Sequence, residues 1–426
     1  MSMGRGVMHM RVEPNVTLGP VRRLESSRIV THFQPIFSVR RRALVGLEAL
    51  SRGIDIRGQL ISPASLFKAA AAEGRAEAVE AACRESAVRT YARLPARLDD
   101  VLLFLNLDVV ATAKPDAIAG ELQGLVYGAG LQPGQVAVEF LEARFDDAAL
   151  LAELAHALRR VGFLMALDDV GAGHSNLDRI PLFRPDVIKI DRTLITGVDA
   201  DFYKQETLKS LVSLSRRIGA LVVAEGIETE PEAVTALELG CDLLQGYYLG
   251  RPQPADTFES GTVAPEATGV IEGLARSVRS RMVGGIHERR EAHRRLNGLL
   301  GRILSELTVE REREAELDAV LAHAIQDDPH IECLYVLDGA GVQVTETVCN
   351  QSMARRSGGA MFRPAPRGTD HSLKEYFYVL VDVELPRYTT DPYVSLASGH
   401  LCRTISTCFR DGIDGRSYVL CADVRA

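Results

Sequence analysis

Six short apolar runs, each ending on a residue able to hold a metal or move a proton, constrain this chain most. Residues 44–47 end on Glu48, 102–105 on Asn106 and 136–138 on Glu139. Ala166-Leu167 ends on the pair Asp168-Asp169, Val187-Ile188 on Lys189, and 221–224 on Glu225. Runs of this length read as buried parallel strands, and a shared polar ending implies that their C-terminal ends converge on one site. Alanine-rich helical segments at 63–73, 76–94, 116–129, 147–161, 202–218 and 230–239 alternate with them. That alternation predicts a (β/α)8 barrel, an α/β fold, over about residues 24–258. An open doubly wound sheet is the alternative, but it would gather its ligand residues at one switch point instead of spreading them over most strands.

The 426 residues suffice for two domains or three, and 46% apolar with 25% charged residues is the balance of a folded globular chain. The formal charge of −8 leaves no basic footprint for a nucleic acid polymer. Seven scattered cysteines without a C-x-x-C pair predict reduced thiols. No apolar stretch reaches membrane-span length and residues 1–12 lack a signal-peptide core, so a cytoplasmic location is expected. Lysine is scarce, six in all, which singles out Lys189 at a strand end.

After Pro252-Gln253-Pro254 the chain changes character. Residues 264–326 read as charged helix with Leu296, Leu300, Ile303 and Leu307 at three- and four-residue spacing. The stripe predicts either a dimerising seam or a face packed on its own domain, with the seam favoured. Gly284, Gly285, Gly298 and Gly301 argue against a long uninterrupted coiled coil. From Pro329 onward the pattern predicts a helix at 312–326 and strands at 331–337, 342–347, 376–383, 394–397, 401–409 and 418–424, with a turn at Asp338-Gly339. This describes a small α+β domain without an acid–base or nucleophile motif, better suited to regulation than to catalysis. Arg387, Tyr388 and Tyr393 are candidates to line a ligand pocket there, with plain surface positions as the alternative.

Glu48, Asn106, Glu139, Asp168 and Asp169 at one barrel mouth would repel one another unless cations lay between them. Hard oxygen donors suit Mg²⁺ or Mn²⁺, and adjacent aspartates can serve two ions about 4 Å apart. Lys189 can face an anion or neutralise transition-state charge. Glu225 can take the proton of an attacking water. For any one acid, a helix cap or surface ion pair competes evenly with a functional role; for the whole set at successive strand ends it does not.

The blocks "HFQPIFS", "VGLEALSRG", "FLNLD", "VEFLEA", "MALDDVGAGHSNL", "DVIKIDR", "VVAEGIET" and "GCDLLQGYYLGRP" follow one another in order. Together they resemble the EAL-domain cyclic-di-GMP phosphodiesterases over about residues 22–258. The resemblance implies a modified TIM barrel whose first strand runs antiparallel to the others. It also implies hydrolysis of cyclic di-GMP to linear pGpG with two Mg²⁺ or Mn²⁺ ions, in bacterial signalling. By matched position it implies a metal shell of Glu48, Asn106, Glu139, Asp168 and Asp169, a catalytic Lys189, and Glu225 activating water or holding the second metal. Gln34, Arg52 and Gln245 match substrate-contacting positions, and Glu142 matches the glutamate that steadies the loop after the aspartates.

Val170, Ala172, His174 and Asn176 depart from the family's usual DDFGTGYSSL loop, as do Asp108 and Gly53 at their positions; no metal ligand is lost. The loop departures motivate a second reading, a weakly active or inactive cyclic-di-GMP receptor. A third is a scaffold that dimerises through 264–326. No GGDEF block precedes the barrel, so a bifunctional cyclase is not expected. The C-terminal segment is similar, more loosely, to PAS-like or Cache-type sensor domains. The expected organisation is an extension at 1–21, the barrel at 22–258, a helical linker at 259–326, and a sensor domain with an unidentified ligand at 327–426, in a homodimer.

Overall fold

A computed structural model describes residues 28–95, 98, 100–107, 114–141, 148–172, 179–259, 265–308, 315–326, 329–350, 363–395, 399–410 and 415–425. The chain divides into two compact units, residues 1–283 and 284–426.

The first unit is a closed barrel. Its strands are β1 (Arg28–Ser38), β2 (Ala43–Ile54), β4 (Leu102–Asn106), β5 (Val136–Leu141), β6 (Leu164–Val170), β7 (Val187–Ile190), β8 (Leu221–Ala224) and β9 (Leu243–Leu244), with short β3 (Leu60–Ile61) and β10 (Gln253–Pro254) at the rim. From β2 through β4 to β9 all neighbours are parallel. Strand β1 runs antiparallel to both β2 and β9 and shuts the ring. The expected barrel with its reversed first strand is therefore what forms, and the open sheet is not.

The surrounding helices are α1 (Pro63–Ala72), α2 (Ala76–Tyr91), α3 (Pro115–Gly128), α4 (Ala148–Val161), α5 (Ile180–Phe183), α6 (Arg192–Ile195), α7 (Phe202–Ile218), α8 (Glu230–Leu239) and α9 (Asp256–Glu259). The local causes are clear at α7 and α8. Asp201 caps α7 by accepting from the backbone N–H of Tyr203 and Lys204, and Gly219 ends it in the left-handed conformation. Thr229 and Glu232 form a capping box at the start of α8, and Glu232 also accepts from the N–H of Gly197 and Glu228.

Period-two alternation divides the strand residues between two cores. Leu103, Leu105, Val138, Phe140, Leu167, Ile188, Val222 and Leu244 face the helices. Ile36, Phe104, Ala137, Ala166, Val187, Val223 and Leu243 form a separate plug inside the barrel. Gly46 supplies the room for it, since a Cβ there would lie 2.5 Å from Phe104 Cε2. Gly46→Ala is therefore expected to cost about 1–3 kcal/mol by overpacking. A denaturation midpoint equal to that of the parent would remove this account of the plug.

The long helix α10 (Pro265–Leu307) crosses the boundary between the units without a break, despite its glycines. Ala267, Ile271 and Leu274 near its start join the barrel's outer core. Leu299, Leu300, Ile303 and Leu307 are buried in the core of the second unit, with Leu296 packed against it. The leucine stripe thus packs on its own unit's sheet, the second of the two readings of its spacing. The segment expected as one linker at 259–326 is divided between the two units.

The second unit holds α11 (Ala315–Ala324), β11 (Ile331–Asp338), β12 (Val348–Cys349), α12 (Glu375–Asp382), β13 (Arg387–Thr389), β14 (Tyr393–Val394), β15 (Leu401–Arg410) and β16 (Ser417–Arg425). The strands form an antiparallel sheet in the order β12-β11-β16-β15-β13, with β14 on β15. The Asp338 turn forms as expected, its carboxylate accepting from the N–H of Ala340 and Val342. The strand expected at 376–383 is instead α12. Its aromatic and β-branched residues suggest a strand, but Tyr376, Phe377 and Leu380 are buried at helical spacing while Tyr378 and Val383 are exposed. Residues 342–347 make only isolated bridges instead of a strand. Backbone bonds from Asp338 N–H to Val342 O and from Val344 N–H to Val336 O begin a ladder there, which ends where the Thr345 hydroxyl accepts the Val336 N–H, while the Gln343 amide donates to Thr345 O, Thr347 Oγ1 and Ala365 O.

Candidate active site

Two residues beyond each plug position, the same inner face of the barrel turns polar. Gly46 is followed by Glu48, Phe104 by Asn106, Ala137 by Glu139, Ala166 by Asp168, Val187 by Lys189, Val223 by Glu225 and Leu243 by Gln245. On the reversed β1 the step runs backwards, from Ile36 to Gln34, and Gln34 pairs in register with Glu48. Successive inward positions of a pleated strand thus form an apolar floor and a polar layer above it.

Lys189 lies at the centre of that layer with 1% exposure. Its Nζ is 2.6 Å from Glu139 Oε1, 2.6 Å from Glu225 Oε1, 3.2 Å from Asp168 Oδ1 and 3.4 Å from Glu48 Oε2. Burial alone would lower its pKa, but the four carboxylates outweigh burial and hold it well above the usual lysine value. Burial, opposed by Lys189, leaves Glu139 and Glu225 well above their ordinary range and Asp168 raised. Gln245 donates its amide to Glu48 Oε2.

Asp169 does not follow the simple alternation. Adjacent residues of a regular strand face opposite sides, so Asp168 and Asp169 should be separated. The β6–β7 register shifts between Leu167 and Val170, and Asp169 takes a left-handed φ of 56°. This irregularity re-aims the chain at the barrel rim. It brings carboxylate oxygens of Asp168, Asp169 and Glu225 within 4.8 Å of one another. Burial first, then Asp168 and Asp191, push Asp169 up to about 6. The backbone turns sharply after Glu225 at Gly226, φ 67°, where a Cβ would lie 2.4 Å from Arg192 Cβ. Only glycine lets the chain pass so close.

A cavity of about 260 Å³ opens over this cluster, walled by Gln34, Glu48, Asp168, Asp169, Lys189 and Glu225, with Gln245 also in its lining. Tyr247, Arg192 and Glu228 also line it, positions that the strand-end pattern did not single out. Tyr247 carries the Arg251 guanidinium 4.2 Å above its ring. Its signal was available in the tyrosine pair of the "GYYLGRP" block.

Not every expected residue reaches the cavity wall. Glu139 is fully buried against Lys189, and Asn106, its register partner, is half-buried at the end of β4. Gln34 donates to Gly250 O at 3.2 Å. Arg52 shares the Glu48 face of β2 but donates to Ser51 O and does not line the cavity. Glu142, Asp108, His174 and Asn176 lie outside the described residues. In the second unit, Tyr393 lines a cavity, whereas Arg387 bonds Thr407 and Asn297, and Tyr388 bonds Glu375.

The donor set suits divalent cations. Glu139 Oε2 is buried without a hydrogen-bond donor among the described residues, and a lone buried carboxylate oxygen is costly unless a cation faces it. Lys189 alone cannot balance the five carboxylates of Glu48, Glu139, Asp168, Asp169 and Glu225.

A family model described as EAL domain matches residues 21–252. An uncharacterized protein of Azorhizobium caulinodans is 31% identical over 258 residues, 59% of this chain and 35% of its own length. The Pseudomonas aeruginosa protein named cyclic di-GMP phosphodiesterase RocR is 27% identical over 239 residues, covering 56% of this chain and 61% of that protein. The Bacillus subtilis YkuI protein, whose crystal structure has an EAL domain in complex with substrate c-di-GMP and calcium, superposes with a TM-score of 0.76. It is 23% identical and covers 93% of this chain and 96% of its own, a likeness of fold. The chain spans about a third of the length of several of the curated relatives that it matches.

Proposed function

The chain belongs to the EAL-domain family, and on that premise we propose that its barrel hydrolyses cyclic di-GMP to linear pGpG. The observation that carries this reading is the convergence of Asp168, Asp169 and Glu225 beside a buried Lys189 at the floor of an open cavity.

Two Mg²⁺ or Mn²⁺ ions would be held by Glu48, Asn106, Glu139, Asp168 and Asp169, and would supply charge stabilisation at the phosphorus and an acidified water. Their four positive charges would offset the four negative charges left once Lys189 is counted. The chain's own residues orient and neutralise. Gln34 and Gln245 offer amides to the substrate, and Arg52 lies further along the same strand face. Glu225 accepts the proton of the attacking water as its oxygen bonds to phosphorus and the bond to the ribose 3′ oxygen breaks, that oxygen taking a proton from solvent to leave as the 3′ hydroxyl. Lys189 holds the carboxylates in place and opposes the negative charge of the transition state. On the same reading the chain works as a homodimer whose C-terminal unit adjusts turnover, a state that light scattering on the purified protein tests.

The purified chain incubated with cyclic di-GMP and Mg²⁺ or Mn²⁺ is expected to yield pGpG on chromatography, and EDTA to stop it. Folded protein that forms no product with either metal overturns the enzymatic reading. Binding of cyclic di-GMP without product selects the receptor instead.

A further inference from the structure

The second unit encloses a cavity of about 570 Å³, within the usual range for small-ligand sites of roughly 300–1,000 Å³. Its lining includes Asp423 on β16, only 7% exposed, and three tyrosines, Tyr335, Tyr376 and Tyr393.

Asp423 is the unusual member. The Thr404 hydroxyl donates to its Oδ1 at 2.7 Å, and the Tyr393 hydroxyl reaches the same oxygen at 3.4 Å. Its Oδ2 takes no hydrogen bond among the described residues, and no arginine, lysine or histidine pairs with it there. Another acid, Glu332, acts on it to the same effect as burial and is itself already paired with His400 and Arg425. A buried carboxylate is ordinarily matched by a cation. Burial pushes its carboxyl up to about 6, which still leaves it ionised at neutral pH.

The rest of the lining indicates the kind of cation. Charged residues around the cavity are Arg363 and Lys374 against Asp370, Glu375, Asp391 and Asp423, a net excess of two negative charges. Tyr335 and Tyr376 meet edge to face, with centroids 6.3 Å apart. His371 offers no free nitrogen, since Nδ1 faces the Tyr376 hydroxyl at 2.7 Å and Nε2 faces Gln343 Oε1 at 3.0 Å. Burial, then Lys374, lower its pKa, so it adds no positive charge. A hard metal ion would need six or more oxygens. One carboxylate among tyrosine rings, of which Tyr335 already stacks one face on His371, instead matches an alkylated or primary ammonium group.

We propose that the cavity lined by Asp423, Tyr335, Tyr376 and Tyr393 binds a small organic ammonium ion, its charge on Asp423 and its carbon substituents against the tyrosine rings. The site lies wholly in the C-terminal unit and stands whether or not the barrel hydrolyses cyclic di-GMP.

Calorimetric titration of the full chain with ethanolamine, choline and putrescine, up to about 10 mM, tests this. At least one should bind, while ethylene glycol and acetate should not. Asp423→Asn should weaken that binding about thirtyfold or more, as loss of a buried charge partner does. Should that variant fail to fold, Asp391→Lys at the exposed rim decides, with a several-fold loss expected. No binding by any of the three, equal binding of the neutral probe, or unchanged affinity in the folded variant overturns the proposal.

Discussion

Lys189→Met is expected to destabilise the barrel by about 3–5 kcal/mol in the presence of EDTA and to abolish hydrolysis. The ammonium is within 3.4 Å of four carboxylates, two of them at 2.6 Å, and methionine replaces its length without its charge. Without it the acids must fold as protonated groups. Glu139 already titrates well above its ordinary value because burial outweighs Lys189. A carboxyl whose folded pKa is raised binds more protons folded than unfolded, so its contribution is full below the unfolded value of about 4 and is lost as pH rises. The variant should therefore be most stable near pH 4 and weaken toward neutrality more steeply than the parent. Mn²⁺ should return part of the lost stability. Urea denaturation across pH, with and without metal, measures both effects. A variant within about 1 kcal/mol of the parent at pH 7 in EDTA would mean that the ion-pair cluster does not hold the site together.

Glu225→Gln separates chemistry from architecture. Its expected effect is a fall in kcat of about 10²- to 10⁴-fold, the usual contribution of a positioned general base, with cyclic di-GMP still bound. Glutamine keeps the shape of the side chain that lies 2.6 Å from Lys189 and removes one member of a crowded acid cluster. Folding should consequently change little, unlike in Lys189→Met. Rates of pGpG formation under saturating substrate and metal decide it; a loss of less than tenfold would take the proton-accepting role away from Glu225.

Much of this site was legible in the chain because strand periodicity is local. An apolar residue followed two positions later by an acid, an amide or a lysine recurs at Ala137 and Glu139, Ala166 and Asp168, and Val187 and Lys189. The helices between the strands carry their own boundaries, as at Asp201 and Gly219 around α7. The second unit was less legible. Residues 376–383 have the composition of a strand, and only the face they bury makes them helical. The stripe from Leu296 to Leu307 needed an apolar partner, and nothing in its spacing distinguishes a second chain from the sheet of its own unit.

By itself the sequence determined which residues share the inner face of the barrel, because a period of two is a property of the extended chain. The tertiary structure alone decided how they meet. It set Gln34 in register with Glu48, placed four carboxylates around one lysine, and bent β6 so that Asp169 joins Asp168 and Glu225. The physical reason is that a left-handed residue and a shifted register cost local energy, and only packing against neighbouring strands offsets that cost.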